Sequence, residues 1–430
     1  MVERRKPISV EDAVAKVSAN SVIKQKETIA IEEAYGRFLA EDLIASHDVP
    51  AFDRSPYDGF AIRAEDTSRA SANHPVCLDV VGAIGAGFVF EEEVQALQAV
   101  RIMTGAPIPK GCNAVVMLEL TKEVTSENGQ QQIQIKRSFN QGDNISRQGE
   151  DTQKGTILVE KGTQINPGIV ALLATFGYAQ VEVAIKPKVG VIATGSELLN
   201  VEEPLAPGKI RNSNAHMIMA QIARAGGEAI YYGKLNDDFD ECLVATKKAL
   251  TEVDMLITTG GVSVGDFDYV PAILNELGAN VLFNKVAMRP GSVTTVANLG
   301  EKMIYGLSGN PSACYVGFEL FVRPMVRKSL YSHLPHLRKA QATLGVDFPK
   351  PNPFMRLVRS KVDFIDGQLV ASPSGVDKSG IVSSLGGADC FMVLPGGTRG
   401  YEKGMTIDVL LLEDTQGSEW PWSNIVASYK

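Results

Sequence analysis

Cysteine is scarce in this 430-residue chain, and its five cysteines are scattered, with no C-x-x-C pair among them. That pattern argues against a thiolate zinc site or a disulfide framework and favours a reducing compartment. The five histidines show no metal-ligand spacing. No apolar run is long enough to span a bilayer, and the opening MVERRKPISVEDAV lacks the apolar core of a signal peptide. We therefore expect a cytoplasmic protein with no membrane partner.

Positive charge is also in short supply, since 42 Lys and Arg face 50 Asp and Glu, for a net charge of −8. This balance argues against a general nucleic-acid-binding protein but allows a local positive site for a small anion. The motifs of P-loop nucleotidases, dinucleotide oxidoreductases and α/β-hydrolases are absent. A composition of 44% hydrophobic and 21% charged residues is that of a globular protein with several domains' worth of core.

The most informative stretch, DMLITTGGVSVGDFDY, runs from Asp254 to Tyr269. Met255 to Thr259 has the apolar, β-branched composition of a strand buried on both faces. Gly260 and Gly261 then favour a sharp turn or a close approach by a ligand. A helix is predicted from Val270 to Leu277. The loop before that helix carries small residues and carboxylates, namely Ser263, Gly265, Asp266 and Asp268.

Two further stretches repeat this pattern of strand, glycine loop and helix. The strand Val189 to Ala193 leads into Thr194, Gly195, Ser196 and Glu197. The strand Met303 to Leu307 leads into Ser308, Gly309, Asn310 and Pro311. In an open parallel sheet such loops gather at the carboxyl ends of the strands, where oxyanions bind. Ordinary βα turns are the plainer alternative, but three such loops in one domain favour a ligand site.

The remaining segments predict further domains around this α/β unit, which extends from about 188 to 328. A helix is predicted from Ser9 to Val22, with Ser9 as its N-cap. The segment HDVPAFDRSPYDGFAIRAED reads as a solvated loop. Residues 75–137 alternate with period two and predict a small β domain with a turn at ENGQ. From about His333 the chain predicts a small barrel with a hairpin through Asp366-Gly367.

Charged residues in the glycine-bounded loops are candidates for chemistry. Carboxylates beside phosphate-favouring turns suit Mg²⁺, which takes oxygen ligands. For any single acid, a solvated or helix-capping carboxylate is the plainer interpretation. The candidate acids are Asp58, Asp151, Glu197, Asp237, Asp238, Asp266 and Asp268. The candidate anion-binding cations are Lys285, Arg289 and Arg356, of which the first two lie in a segment that Pro290 makes extended rather than helical.

Seven motifs together resemble one family over essentially the whole chain: DRSPYDGFAIR, RIMTGAPIP, GEDTQKG, IATGSELL, TTGGVSVGDFDY, KVAMRPGS and LSGNPSA. Their order is that of the molybdopterin molybdenumtransferases, which are related to the E domain of gephyrin. The TTGGVSVG loop is shared with the molybdopterin adenylyltransferases, but the motifs outside the α/β domain favour the transferase.

The resemblance implies a homodimer of four-domain subunits. It implies a multidomain α/β plus β fold with a central three-layer α/β parallel-sheet domain that binds molybdopterin. The expected divisions are an elongated split domain (1–46 and 143–184), an inserted β-rich domain (47–142), the α/β domain (185–331) and a C-terminal β-barrel (332–430).

The resemblance also implies a site in a cleft to which the neighbouring subunit contributes. Asp58, Thr104 and Asp151 match the residues expected from that neighbour. Glu197, Asp237 and Asp268 match the acids of the α/β domain, which would hold Mg²⁺, and Lys285 and Arg289 match its cations. Arg356, with Ser379 or Ser384, matches the contribution of the barrel. The predicted substrate-binding loops comprise Thr194, Gly195, Ser196, Gly260, Gly261, Ser263, Gly265, Ser308, Gly309, Asn310 and Pro311.

The implied reaction inserts molybdate into adenylylated molybdopterin and releases AMP. The adenylyltransferase that makes this substrate is an implied partner. A non-catalytic scaffold of the gephyrin kind and an adenylyltransferase are the alternatives. Three positions depart from the common pattern of the family: Ser308 stands where many members have proline, Ser292 where they have lysine, and Arg289 where lysine is common. Arginine and lysine differ in hydration and donor geometry, so these changes bear on anion affinity.

Overall fold

The structure, a computed structural model, describes residues 6–261, 269–351 and 353–425. The chain divides into two compact units, both discontinuous in sequence. The larger unit comprises Met1–Glu41, Glu160–Ala171 and Tyr178–Lys430, and the smaller unit comprises Asp42–Val159 and Leu172–Gly177. The multidomain α/β and β fold class is confirmed. The finer division into four domains stays a prediction.

The first helix of the larger unit spans Val10–Ser18, so it is shorter than predicted. Ser9 is its N-cap as expected, because its Oγ accepts the N–H of Asp12 at 2.9 Å. Asn20 ends the helix, since its Nδ2 donates to the carbonyl oxygens of Lys16 and Val17. The strand Lys26–Ala30 follows and pairs antiparallel with Gln180–Ala184.

The central sheet of the α/β domain has six strands, in the order Glu228–Leu235, Lys188–Thr194, Met255–Thr259, Lys302–Leu307, Thr295–Leu299 and Asn280–Phe283. The first four run parallel, which confirms the prediction for that part of the sheet. The fifth runs antiparallel to both of its neighbours, so the complete sheet is mixed. The sequence prediction missed this strand, although Gly300-Glu301 forms the two-residue connection typical of a tight hairpin.

Helices cover both faces of the central sheet, which gives the predicted three layers. Val191 and Ile257 share a core with Ile218 on one face. Ile192 and Leu256 share a core with helix residues on the other face. This alternation follows from the period of two in a strand. The helices of this domain are Ser213–Ala225, Phe239–Glu252, Val270–Glu276, Pro311–Gly317 and Arg323–Ser329, with a π-helical turn at Phe318–Val322 between the last two.

Five strands close into a β-barrel: Arg338–Leu344, Met355–Ile365, Gln368–Pro373, Cys390–Leu394 and Thr406–Leu411. The long strand that begins at Met355 closes the ring, because it pairs with both the third and the fourth of these strands. The predicted hairpin turn is confirmed. Asp366 and Gly367 have φ angles of 49° and 77°, as a type I′ turn requires.

The smaller unit contains a six-stranded sheet in the order Ala114–Met117, Gly59–Ile62, Gln98–Ile102, Val76–Ile84, Gln131–Ile135 and Thr121–Thr125. The last two strands form the hairpin predicted around ENGQ. The loop prediction for the DRSPYDGFAIR segment is wrong for Gly59–Ile62, which is a fully buried strand with a neighbour on each side. Its apolar run of three residues is too short to be recognised as a strand that is buried on both faces.

The remaining elements are short. A short apolar helix spans Pro167–Thr175. Two-stranded pairs form between Leu43–Ile44 and Ile157–Val159, and between Leu198–Leu199 and Ile210–Arg211. The 3₁₀ turns are Ile31–Glu33, Ala64–Thr67 and Leu118–Leu120. Within the described residues, none of the helices combines the length and the apolar character that a membrane span requires.

Candidate functional site

Three loops meet at one edge of the central sheet, as predicted. They follow the parallel, neighbouring strands that end at Thr194, Thr259 and Leu307. Asn214, at the start of a helix, donates its Nδ2 to Thr259 Oγ1 at 3.0 Å and to the Gly309 carbonyl oxygen at 2.8 Å. Because Asn214 is buried, these two bonds hold two of the loops together.

Gly260 and Gly261 allow the closest approach between these loops. Their φ angles are 94° and 64°, in the left-handed region that glycine tolerates best. A methyl group on Gly260 would lie 2.3 Å from the carbonyl oxygen of Thr194. The Gly260 N–H donates to the carbonyl oxygen of Leu307 at 3.1 Å. The close approach predicted for Gly260 is therefore an approach of backbone to backbone.

A cavity of about 940 Å³ lies between these loops and the barrel, within the larger unit. Its volume suits a ligand of nucleotide or pterin size. Most of the predicted residues of this unit line it: Thr194, Gly195, Glu197, Asp237, Gly260, Gly261, Arg289, Ser308, Gly309, Asn310, Arg356 and Ser379. Pro311 begins the helix that follows the third loop and is not among the lining residues.

Two carboxylates reach the cavity. Asp237 Oδ2 accepts the N–H of Ser196 at 3.0 Å and its Oγ–H at 2.9 Å. Ser196 is therefore placed to hold Asp237 rather than to line the wall. Glu197 folds back over Gly195, where a methyl group would lie 2.5 Å from Glu197 Oε2. The two acids thus come from adjacent strand-end loops and offer only oxygen donors.

Asp238, the next acid along the chain, is a helix cap. Its Oδ1 accepts the N–H of Glu241 at 2.8 Å at the start of the helix Phe239–Glu252. A carboxylate at this position satisfies a free backbone donor and complements the helix dipole. For Asp238 the plainer of the two interpretations open from the sequence is correct.

The predicted cations occupy three different settings. Arg289 is exposed, and the short strand Met288–Arg289 pairs with Met355 and Arg356 of the barrel, so this segment is extended as expected. Arg356 Nη1 donates to Asp377 Oδ2 at 2.6 Å in a largely buried ion pair. Lys285 is half-buried and is not among the lining residues.

The structure distinguishes between Ser379 and Ser384, which the sequence left as alternatives. Ser379 lines the cavity, and its carbonyl oxygen accepts the N–H of Ser312 at 3.0 Å. Ser384 is 2% exposed, and its Oγ accepts Arg359 Nε–H at 3.1 Å. Ser379 is therefore the serine placed to meet a ligand, whereas Ser384 supports a buried arginine.

Asp58 and Thr104 meet in the smaller unit. Asp58 Oδ1 accepts the backbone N–H of Thr104 at 2.7 Å and its Oγ–H at 3.0 Å. These two hydrogen bonds, the backbone one first, lower the pKa of the Asp58 carboxyl below its ordinary value. Both residues are exposed, so an ionised carboxylate faces solvent here.

Asp151 lies on a loop that runs beside the segment leading to Asp58. The carbonyl oxygen of Val49 accepts the N–H of Asp151 at 3.0 Å, and Arg54 exchanges backbone hydrogen bonds of 2.9 Å with Ser146. Asp151 is exposed. The three motif residues predicted from outside the α/β domain thus lie on interacting loops of one unit.

Several predicted residues fall outside the described part of the chain: Ser263, Gly265, Asp266 and Asp268. Within the described part, no group of three or more His, Cys, Asp or Glu side chains is arranged to hold a metal ion. Glu197 and Asp237 supply hard oxygen donors of the kind that Mg²⁺ prefers, so the donor chemistry of these two residues fits that ion.

Two charged residues of the cavity wall, Asp377 and Lys378, were not predicted from the sequence. They lie in the segment GVDKSG, which combines glycine, a hydroxyl and charges as the three strand-end loops do. That composition was the available signal. The signal is weaker here, because this loop follows a barrel strand rather than a strand of the central sheet.

Residues 190–328, which form the α/β domain, match a family model described as a probable molybdopterin binding domain. The flanking parts match the MoeA N-terminal region (domain I and II) over 8–177 and the MoeA C-terminal region (domain IV) over 341–412. The chain belongs to the MoeA family, the molybdopterin molybdenumtransferases. That membership makes it a transferase with a role in molybdenum cofactor biosynthesis.

The relatives support this assignment over the full length. The chain is 58% identical over 430 residues to the molybdopterin molybdenumtransferase of Bacillus subtilis, with all of both chains covered. It is 48% identical over 418 residues to that of Staphylococcus epidermidis, covering 97% of this chain and 99% of the relative. The crystal structure of the molybdopterin biosynthesis MoeA protein from Pyrococcus horikoshii OT3 has a TM-score of 0.80 at 33% identity, covering 94% of this chain and all of that one.

Proposed function

We propose that this protein inserts molybdate into adenylylated molybdopterin and releases AMP, giving the molybdenum cofactor. The observation that carries the proposal is the cavity of about 940 Å³, because it brings carboxylates and cations to the strand-end loops of a domain that matches a probable molybdopterin binding model. Both kinds of charge are needed, since the substrates are anions and the diphosphate bond must be oriented for cleavage.

The cations would bind the negative charge of molybdate and of the pterin phosphate. Arg289 is exposed at the cavity and presents the planar, five-donor guanidinium group that suits oxyanions. Ser379 and the hydroxyls of the strand-end loops would add neutral donors. Together these groups would fix the two substrates in an orientation that favours reaction.

The carboxylates would hold Mg²⁺, with Glu197 and Asp237 as ligands and Asp268 as the third predicted one. When bound, the ion would neutralise charge on the diphosphate and orient the bond that is cleaved. Ser196 keeps Asp237 in place through two hydrogen bonds, so the Asp237 carboxylate is oriented at the cavity without the ligand.

The proposal extends to assembly and location. We expect a homodimer in the cytoplasm that receives adenylylated molybdopterin from a molybdopterin adenylyltransferase. Asp58, Thr104 and Asp151 would contribute to substrate binding, as the resemblance implies. Sedimentation equilibrium tests the dimer, because a mass close to the single-chain value of 46.2 kDa would contradict it.

The decisive experiment adds molybdate to the full-length protein with adenylylated molybdopterin and measures AMP by chromatography. Molybdate-dependent AMP release supports the proposal. ATP consumption would indicate an adenylyltransferase, and a folded dimer that releases no AMP would indicate a scaffold. Chelation of divalent ions should suppress AMP release, and Mg²⁺ should restore it.

Asp237→Asn tests the role of the carboxylate within the same assay. Loss of one preorganised charge at the reacting centre should slow AMP release by about 100-fold. Asp238→Asn is the matched control, because the adjacent acid caps a helix and asparagine caps as well as aspartate does, so this variant should keep both its stability and its rate of AMP release. Equal rates for the two variants would remove Asp237 from the mechanism.

A further inference from the structure

Beside the cavity, the carboxylate of Asp377 lies within ion-pair distance of three cations of the barrel. Asp377, whose side chain is 6% exposed, accepts Arg356 Nη1–H at 2.6 Å. Arg359 Nη1 and Lys350 Nζ each lie 3.7 Å from an oxygen of the same carboxylate. Arg356 is therefore committed to a partner within the protein, which leaves less of its charge for a ligand.

The backbone that follows Asp377 is fastened from two sides. Arg359 Nη2 donates to the carbonyl oxygen of Lys378 at 3.3 Å. Ser312 donates its N–H to the carbonyl oxygen of Ser379 at 3.0 Å and its Oγ–H to that of Ile381 at 2.8 Å. The loop is thus tied to the barrel through Arg359 and to the α/β domain through Ser312. Its position does not depend on the side chain of Lys378.

Lys378 itself is exposed and lines the cavity. Among the described residues, neither Lys378 nor Arg289 forms an ion pair with a carboxylate, in contrast to Arg356. These two cations come from different domains and line the same cavity. A doubly charged oxyanion between them would receive charge-assisted hydrogen bonds from both.

We propose that Lys378 is a second oxyanion-binding residue of the cavity, which with Arg289 binds the tetrahedral molybdate substrate, and that Asp377 is a positioning residue for it. This inference rests on the proposed function, because it names residues of that same site. Lysine suits the task because its compact charge on a flexible stem can follow an anion as the reaction proceeds.

Titration of the full-length protein with sodium molybdate in a calorimeter at low ionic strength tests the role of Lys378. Low salt is needed because the exposed charge is otherwise screened. Lys378→Gln should weaken molybdate binding about tenfold, the effect of losing one charge-assisted hydrogen bond. Lys378→Arg should recover most of the affinity, because it retains the charge.

Lys403→Gln is the matched control, since Lys403 is an exposed lysine of the barrel that does not line the cavity. It should bind molybdate as the unsubstituted protein does. Equal affinity of Lys378→Gln and Lys403→Gln would overturn the inference. So would the absence of measurable molybdate binding by the unsubstituted protein.

The Asp377→Asn variant tests the positioning role, because a pure charge effect and a positioning effect predict opposite changes in molybdate affinity. If charge alone mattered, removing a carboxylate from the cavity wall would tighten the binding of an anion. If Asp377 positions the loop and occupies Arg356, molybdate binding should instead weaken about threefold or more at a temperature well below the melting transition. Tighter binding would contradict the positioning role, and a melting curve would confirm that the variant is folded.

Kinetics separate this inference from the proposed function. Lys378→Gln should raise the half-saturating molybdate concentration for AMP release by the factor found in the calorimeter. If no variant releases AMP but Lys378→Gln still weakens molybdate binding, the proposed reaction fails and the anion site stands. If the unsubstituted protein releases AMP and Lys378→Gln has the same half-saturating concentration, the inference alone fails.

Discussion

Gly260 and Gly195 occupy positions at the strand ends where any side chain would collide with a neighbour. At Gly260 the neighbour is the backbone of Thr194, which cannot move without disturbing the adjacent strand. At Gly195 it is the carboxylate of Glu197, which lines the cavity. The two glycines therefore set how closely the loops pack and where one of the acids lies.

Gly260→Ala should destabilise the protein more than Gly278→Ala does. Both residues have positive φ angles, 94° and 66°, so both substitutions should cost about 1 kcal/mol for backbone strain. Only at Gly260 does the added methyl group also meet a backbone oxygen, so the total loss there should be about 3 kcal/mol. Urea unfolding measures both values, and equal losses would show that the loops can separate at no cost.

The helical segment that runs from Pro311 through Ser329 carries a buried charge at its π-helical turn. Glu319 is 2% exposed, and its Oε1 accepts Gln221 Nε2–H at 2.7 Å and Arg224 Nη2–H at 2.5 Å. Arg323, one turn further along, is equally buried, and its Nε lies 3.9 Å from Glu319 Oε2. A charge in this position is tolerated only because its partners surround it.

Replacing Glu319 should therefore lower the free energy of unfolding far more than replacing Glu413, which is the other ion-pair partner of Arg224. Glu319→Gln would leave Arg224 and Arg323 without a buried counter-charge, and the free energy of unfolding should fall by about 3 kcal/mol. Glu413→Gln removes an ion pair whose carboxylate is 67% exposed, so its loss should stay below about 1 kcal/mol. Thermal or urea unfolding of the two variants compares them directly, and similar losses would contradict the buried network.

Acid stability is a property of the whole molecule to which one buried histidine contributes. His336 is 5% exposed and packs against the ring of Trp420, with a centroid distance of 5.6 Å. Burial, and then the charge of Arg323, lowers the pKa of His336 to about 4. Between pH 6.5 and about 4 the folded protein therefore keeps His336 neutral, whereas the unfolded chain binds a proton at this residue near its ordinary pKa of 6.5.

Stability should decrease as the pH falls from 6.5 toward 4, because the unfolded state binds more protons in this window. The contribution of His336 to that decrease should be about 3 kcal/mol. His336→Asn should show a shallower dependence in urea unfolding across the window. His333→Asn, which replaces an exposed histidine nearby, should keep the original slope. The same slope in all three proteins would exclude His336 as the cause.

Local patterns predicted most of the elements that build the candidate site. The strand Met255–Thr259 has the predicted bounds, because an apolar, β-branched run that is buried on both faces is a property of adjacent residues. Thr295–Leu299 and Gly59–Ile62 were missed, since each takes its structure from strands that pair with it on both sides. Pairing between strands leaves a weaker trace in a short run of sequence.

The sequence by itself determined the loops, the glycines and the kinds of charge that a ligand would meet, because turn chemistry and residue type are local. Only the tertiary structure decided which of these charged side chains are free to meet a ligand in the cavity. It paired Arg356 with Asp377, buried Ser384 beneath Arg359 and brought Lys378 to the same cavity as Arg289. The physical reason is that ion pairing and burial depend on distances between residues far apart in the chain, which no local pattern encodes.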